Sequence, residues 1–323
     1  MRAVGLIAIA VLVLSCRREG PCSEPAPPAA ASRGDRKAVA AAPGGSGTDA
    51  RPTPTGPVPS VRVAYAEPKN PAHRSLYDGV RERRVLEQAA EAASAVRLPK
   101  QLLLEFRGCD GDSNAYYNQK TTSVTFCYEY LADLKKTAVQ HLIDGKYVQF
   151  PGSDQRIPLE DAIDGPVCFV LFHEMGHAVY HLLEVPVLGR QEDAADDFAA
   201  AMLLRLGKEM AMSHLRGAAW AYAVGAMSMV PDLSDFADIH SLDEQRYINI
   251  LCLAYGSDPD FFGPAVKRGL LPAERARECG WEYRQVRYAL QRLVLPYVDE
   301  ERLEYVRMKH LGGRGSSSSR RSR

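Results

Sequence analysis

The sequence has no net charge, because 40 lysines and arginines balance 40 aspartates and glutamates. This balance gives no electrostatic reason to expect binding to nucleic acid or to an acidic membrane surface. The seven cysteines include no Cys-x-x-Cys pair, which argues against a zinc module built from cysteines. The sequence also has no internal repeat and no regular alternation of strand and helix patterns. We therefore predict an α+β fold with strands early and helices late.

An apolar run occupies residues 3–14, directly after a minimal basic start. It has the length of a signal-peptide core and is too short to cross a bilayer as a helix. The run ends in Val-Leu-Ser-Cys, which resembles a bacterial lipobox in which the cysteine, here Cys16, is lipidated after cleavage. We predict a signal peptide over residues 1–15, export to the cell envelope, and membrane attachment through Cys16. Ordinary secretion with cleavage nearby is the alternative.

Two further segments have the composition of solvated chain. Residues 17–60 contain nine of the 21 prolines and are rich in Ala, Gly and Ser, without a hydrophobic period. We predict a disordered tether over residues 16–60 and a disordered tail over residues 312–323, which ends in serines and arginines. The compact domain is predicted to span residues 61–311.

Hydrophobic periodicity predicts the elements of this domain. Alternating or short apolar runs predict strands at 61–67 and 102–106 and two strands within 115–131. An amphipathic pattern predicts a helix over 75–96, and apolar runs predict helices over 160–185 and from Gln191 onward. The fold prediction is a small N-terminal sheet with helices, followed by a mainly helical C-terminal part.

The pattern His-Glu-Met-Gly-His at residues 173–177 carries the chemistry. His173 and His177 lie one helical turn apart, so both imidazoles face the same side. Glu174 is adjacent and can reach a water at the metal rather than the metal itself. The flanking residues are apolar nearly all round, so the helix is predicted to be buried. Buried histidines and a glutamate need a function, and Zn²⁺ binding is the function that this spacing predicts.

A catalytic zinc site needs a third protein ligand, and the residues alone leave it open. The metzincin pattern is excluded, because Tyr180 and Leu183 stand where that pattern has glycine and histidine. His181, one turn beyond His177, is predicted to serve packing or to support a ligand. The next helix then begins with an acid cluster.

This cluster contains two pairs at i, i+4 spacing, Glu192 with Asp196 and Asp193 with Asp197. Acids in a first helical turn also oppose the helix dipole. That effect accounts for Glu192 and Asp193, but not for Asp196, which precedes an alanine-rich run. A metal ligand together with a carboxylate that holds a ligand histidine would account for one such pair.

The text His-Glu-x-Gly-His followed by Glu-x-x-x-Asp resembles the glutamate zincins, that is, thermolysin and the HtpX-like peptidases. The resemblance implies a zincin-like fold, Glu192 as the third zinc ligand, and Asp196 as the residue that holds a ligand histidine. The sequence resembles still more closely a bacterial family of predicted metallopeptidases whose domain has no assigned function. This resemblance extends over most of 61–300 and includes the segments 114–117, 127–129 and 240–246.

The resemblance to HtpX-like peptidases also implies site roles for His240 and Arg246. Those peptidases carry a histidine and an arginine six residues apart in a helix after the glutamate ligand, where they stabilise the developing negative charge on the carbonyl oxygen. An alternative is that Arg246 pairs with Asp243 or another acid and His240 lies at the surface. Ser241 and Glu244 have capping-box spacing, and Gly256 is predicted to end the helix.

The predicted function is zinc-dependent hydrolysis of peptide bonds in a peptide or protein substrate. Zinc would activate a water and polarise the carbonyl, and Glu174 would act as general base. By analogy with the zincins, a substrate could pair with the strand at residues 114–118; an ordinary strand is the alternative. Two other functions remain open: a non-catalytic zinc-binding envelope lipoprotein, and a zinc amidase acting on a non-peptide or cell-wall substrate.

The remaining cysteines predict disulfides, because cysteines outside the cytoplasm tend to pair. We predict Cys109–Cys127, which flank the early strands, and Cys252–Cys279, which flank a loop. Four cysteines allow three pairings. Cys168, five residues before His173, is predicted to be a buried thiol.

Overall fold

The computed structural model describes residues 61–228 and 230–314. The predicted signal peptide, the anchor at Cys16, the tether and most of the predicted tail lie outside the described residues, so these stay predictions. None of the helices in the described ranges combines the length and apolarity needed to span a bilayer.

The N-terminal half is built on a four-stranded mixed sheet with the order β1-β2-β4-β3. Strand β4 pairs parallel with β2 and antiparallel with β3, so β3 lies at the edge of the sheet. All five residues of β4 are buried, as expected for an inner strand with both faces covered. A second, three-stranded antiparallel sheet follows α3. The elements of this half are β1 (Arg62–Tyr65), α1 (Arg74–Glu82), α2 (Val85–Ala93), β2 (Leu103–Arg107), β3 (Ala115–Asn118), β4 (Ser123–Cys127), α3 (Tyr128–Gln140), β5 (Leu142–Ile143), β6 (Tyr147–Gln149) and β7 (Arg156–Pro158).

The C-terminal half is helical, which confirms the predicted α+β fold with its late helices. Helix α4 is apolar on nearly all sides, and it packs against α5, α6 and the strand β3. Its buried position agrees with the prediction made from its flanking residues. The helices are α4 (Leu159–Leu182), α5 (Gln191–Arg205), α6 (Lys208–Ser228), α7 (Leu233–Ala237), α8 (Asp243–Ser257), α9 (Pro259–Phe262), α10 (Pro264–Lys267), α11 (Ala273–Leu293) and α12 (Glu300–Arg314).

The helix predicted over 75–96 is two helices in the structure. Helix α1 ends at Glu82 and α2 begins at Val85. Between them Arg84 adopts the left-handed conformation, with φ of 53°. A single residue in that conformation turns the chain without interrupting the apolar pattern, so periodicity alone could not locate the break.

Both predicted disulfides are confirmed. Cys109–Cys127 joins the segment after β2 to the end of β4, and Cys252–Cys279 joins α8 to α11. Cys168 is a free thiol on α4, partly buried, and burial raises its pKa to about 12.

Candidate metal centre and active-site cleft

Helices α4 and α5 pack closely and run in opposite directions at the histidine motif. His177 faces Glu192, whereas His173, one turn earlier, also reaches Asp196, one turn later. Gly176 lies on this interface, where a β-carbon would stand 3.2 Å from the Phe198 ring. The glycine in the motif therefore allows α5 to approach closely enough for its acids to reach the histidines.

Three side chains converge on one point between these helices. His173 Nε2 and His177 Nε2 each lie 3.1 Å from Glu192 Oε2, and the two nitrogens are 3.2 Å apart. His173 is 3% exposed, so the point is shielded on the side of the first histidine. The two imidazole nitrogens and the carboxylate oxygen therefore surround a position at which one cation would contact all three.

The spacing of the three atoms fits a metal ion. Tetrahedral ligand bonds of about 2.0–2.1 Å place ligand atoms roughly 3.3–3.4 Å apart, a few tenths of an ångström beyond the observed separations. Two imidazole nitrogens and one carboxylate oxygen are also the ligand set of a catalytic zinc site. The residues present therefore fit the group that the sequence predicts, and they form a group that could hold a metal ion.

The electrostatics of the group favour positive charge at its centre. Burial opposes protonation of His173, but its hydrogen bonds with Asp196 and Glu192 raise its pKa to about 9. Burial acts to raise the pKa of Glu192, and its hydrogen bonds with the histidines lower it far below its ordinary value. The site thus attracts a cation, whether a proton or a metal ion, and binding of a metal would displace protons.

Glu174 lies beside the three converging atoms without joining them. Its Oε1 is 4.0 Å from His173 Nε2. The carboxylate is buried, and the backbone N–H of Tyr117 donates a hydrogen bond to it. Burial raises the pKa of Glu174, an effect that His173 and His177 oppose. A carboxyl group with a raised pKa next to a metal position can accept and return a proton.

Asp196 connects the centre to a third helix. Its Oδ1 lies 2.7 Å from His173 Nδ1, which leaves Nε2 of that ring free to face the converging atoms. Arg246 on α8 donates two hydrogen bonds of 2.8 Å to the same carboxylate and lies over the Tyr222 ring. These contacts place Arg246 behind His173, as the pairing alternative expected. Its role as a donor to the carbonyl oxygen stays a prediction.

His240 reaches the centre from the segment before α8. Its Nε2 lies 3.1 Å from Glu192 Oε2, and its Nδ1 lies 3.0 Å from Asp238 Oδ1. The hydrogen bond to Glu192 raises the pKa of His240. The structure therefore brings His240 together with the predicted ligands.

Two details of the predicted α8 helix are wrong. Ser241 and Glu244 do not form a capping box, because the Ser241 hydroxyl donates a 2.6 Å hydrogen bond to Asp193 and the helix begins at Asp243. The helix also continues through Gly256 to Ser257. A β-carbon at Gly256 would overlap the carbonyl oxygen of Cys279, so this glycine serves close packing against α11 instead of ending the helix.

A cleft of about 820 Å³ opens over the centre, between β3, α3, α6 and the segment before α8. His173, Glu174, His177 and Glu192 line one side of it. Strand β3 lines another side, where the Tyr117 hydroxyl lies 2.9 Å from His181 Nδ1. His181 thus packs against the strand and stays outside the three converging atoms, which agrees with the packing role that was one of its two predictions.

The sequence reasoning did not predict a place in the cleft for Tyr130, Tyr222 and Asp243, which also line it. They come from α3, α6 and α8, so only the packing of three helices brings them together. No spacing within one segment could have indicated them.

A protein-family model described as putative metallopeptidase matches residues 65–294. The chain belongs to this putative metallopeptidase family. The match includes both motif helices and most of the cleft, and it confirms the resemblance to a metallopeptidase family whose domain has no assigned function. Membership in a metallopeptidase family indicates a hydrolase that uses a metal ion and acts on peptides or proteins, and His173, His177 and Glu192 could hold that ion. No curated protein and no solved structure shows a significant match to the chain.

Proposed function

We propose that this protein is a zinc peptidase in which His173, His177 and Glu192 hold Zn²⁺ and Glu174 is the general base. The observation that carries the proposal is the convergence of two imidazole nitrogens and one carboxylate oxygen within 3.2 Å of one another, beside a fourth side chain, the buried carboxyl group of Glu174, that does not join them. A purely structural zinc site has no need of that fourth group.

The ion, when bound, would polarise the scissile carbonyl and lower the pKa of the attacking water. Glu174 takes the proton from that water and passes it to the leaving amine. Asp196 holds His173 in the tautomer whose Nε2 faces the metal position. His240, which lies within hydrogen-bond distance of Glu192, donates to the carbonyl oxygen as negative charge develops there.

The edge strand β3 supports the proposal that the substrate is an extended peptide. It borders the cleft, and its outer edge has no neighbouring strand among the described residues. An extended segment added along this edge would place its backbone next to Glu174, which already contacts the backbone of Tyr117.

The test compares the zinc-loaded protein with Glu174→Gln on a mixture of proteome-derived peptides, with new termini identified by mass spectrometry. Gln has the shape of Glu and cannot accept the proton, so we expect the variant to keep one zinc per chain and to lose cleavage at least ~100-fold. Glu160→Gln is the matched control, because Glu160 lies exposed in the first turn of the same helix.

The alternatives have distinct outcomes. Zinc binding without cleavage by either protein would favour a non-catalytic zinc-binding envelope protein. Cleavage of cell-wall amides, but of no peptide bond in proteins, would favour the amidase alternative. Membrane partition that is lost in Cys16→Ser would support the proposed lipid anchor and envelope location.

A further inference from the structure

We propose that the cleft recognises a cationic side chain of its substrate, a lysine or an arginine, through the carboxylate of Asp243. The inference rests on the proposed peptidase function and adds a substrate class to it. No motif of the sequence indicated this residue; its position in the cleft does.

Asp243 is a half-buried carboxylate in the wall of the cleft. Among the described residues, none donates a hydrogen bond to its side chain and none forms an ion pair with it. Burial raises the pKa of Asp243, an effect that the nearby Arg246 opposes. A partly desolvated carboxylate that has no hydrogen-bond donor or ion-pair partner gains free energy when a cation from a ligand reaches it.

The positive groups of the cleft are already paired. Arg246 is the only lysine or arginine among the described residues that line it, and its guanidinium donates two hydrogen bonds to Asp196. His240 contacts Glu192 and Asp238. Both groups therefore act on Asp243 only at a distance, without a hydrogen bond to its carboxylate.

The Asp243 carboxylate lies in a space that a glycine of α6 leaves open. Gly225 of α6 also lines the cleft, and a β-carbon there would overlap Oδ2 of Asp243. The missing side chain at residue 225 lets the carboxylate lie directly against α6. Tyr130, Tyr222 and Val170 line the same cleft and offer apolar surface to the aliphatic part of a long side chain.

The segment of the chain that leads to Asp243 is acidic. Residues 226–245 contain five acids and no lysine or arginine, although the whole chain has no net charge. This segment connects the end of α6, which contains Gly225, to the start of α8, which contains Asp243. An acidic segment next to the cleft favours the approach of a basic segment of substrate over an acidic one.

A simpler role for Asp243 is to oppose the dipole of α8, since it lies in the first turn of that helix. Glu244 lies in the same turn and does not line the cleft. The pair thus offers a matched comparison, because the dipole role predicts similar effects for both acids and cation recognition predicts an effect for Asp243 alone.

The experiment measures peptide binding by the zinc-loaded full chain carrying Glu174→Gln, so that no probe is cleaved. The probes are blocked, uncharged decapeptides with one arginine placed at each position in turn, and the same peptides with citrulline, a neutral analogue of arginine. We expect arginine to bind at least ~10-fold more tightly than citrulline at one position of the peptide.

The added change Asp243→Asn is expected to abolish this difference, Gly225→Ala to reduce it, and Glu244→Gln to leave it within about twofold. Asp243→Ser serves if the Asn variant fails to fold. A set in which no position distinguishes arginine from citrulline overturns the proposal, as does an equal loss for Asp243 and Glu244. Cleavage of peptides by the unsubstituted protein without preference for basic residues would overturn this inference and leave the peptidase proposal standing. Arginine recognition without any cleavage would support this inference and contradict the peptidase proposal.

Discussion

Helix α5 presents two pairs of acids with the same spacing, and the two pairs have different surroundings. Glu192 and Asp196 face α4, where they contact His173 and His177. Asp193 and Asp197 line a second cavity of about 340 Å³ together with residues of α8 and α11, and the lining of this cavity also includes Asp196. Asp193 accepts a hydrogen bond from Ser241, whereas no described residue donates one to Asp197.

The comparison teaches that i, i+4 spacing defines a face without defining its function. Residues one position apart on a helix differ by about 100° in direction, which is enough to direct the two pairs of acids toward different neighbours. What distinguishes the two faces is the partner that each one meets: two histidines of α4 on one side, and Arg275 with Glu282 of α11 on the other.

The largest expected difference comes from substituting the first member of each pair, Glu192 or Asp193. Glu192→Gln removes an ionised ligand, so we expect zinc affinity to fall by roughly 1,000-fold, more than the loss of a supporting residue costs. Asp193→Asn is the matched control and should retain the affinity of the unsubstituted protein. Competition with a chromophoric chelator measures both, and equal losses would show that the faces had been assigned incorrectly.

The two arginines provide the next comparison. Arg246 and Asp196 form a pair in which the side chains are only 13% and 10% exposed, whereas Arg275 and Glu282 are 27% and 34% exposed. Removing one partner of a buried pair leaves an uncompensated charge, so Arg246→Gln should lower the free energy of unfolding by about 3 kcal/mol. Arg275→Gln should lower it by about 1 kcal/mol or less, because water screens that pair.

Urea unfolding of the metal-free proteins isolates this effect from zinc binding. An Arg246→Gln protein as stable as the unsubstituted one would mean that the contact with Asp196 does not hold α8 to the metal centre.

The second members of the pairs give a smaller effect on zinc. Asp196→Asn should weaken zinc binding by roughly 10- to 100-fold, since the amide cannot hold His173 Nδ1 as strongly as the carboxylate does. Asp197→Asn should leave zinc binding unchanged. Isothermal titration on the two variants tests the difference, and a weaker site in Asp197→Asn would implicate the second face in metal binding.

The sequence could indicate the metal centre because most of it lies in two short segments. The spacing of His173 and His177 predicts one face of a helix, and the apolar flanks predict its burial. The choice of Glu192 over Asp193 needed a resemblance, because each begins a pair with the same spacing.

The features that the sequence could not predict depend on contacts between segments that are distant in the chain. In place of the predicted capping box, Ser241 contacts Asp193, 48 positions away in the chain. Gly256 allows α11 to pack closely against α8. The order of the strands, β1-β2-β4-β3, depends in the same way on pairing between distant segments. The sheet of β5, β6 and β7 has strands of two or three residues, too short to carry a detectable period.

The smallest expected effect is a pH-dependent contribution of Asp197 to the free energy of unfolding. Burial, together with Asp196 and Asp193, raises the pKa of Asp197 from 3.8 to about 7. Between these two values the folded state binds more protons than the unfolded state, so the free energy of unfolding falls as pH rises through this window. Asp197→Asn removes the penalty and should stabilise the protein at pH 8 by about 1 kcal/mol, and by less at pH 5.

Urea unfolding at both pH values measures this gain. Asp133→Asn, a change at an exposed acid, should give no such gain at either pH. A gain for Asp197→Asn that does not depend on pH would contradict the titration account.

The location of the metal tests the whole comparison most directly. Crystals of the zinc-loaded protein, recorded on both sides of the zinc absorption edge, give an anomalous difference map that needs no assumption about ligands. The account predicts one strong peak between His173 Nε2, His177 Nε2 and Glu192, and no peak at Asp193 and Asp197. A principal peak in the cavity beside Asp197, or none between the two histidines at full zinc loading, would contradict it.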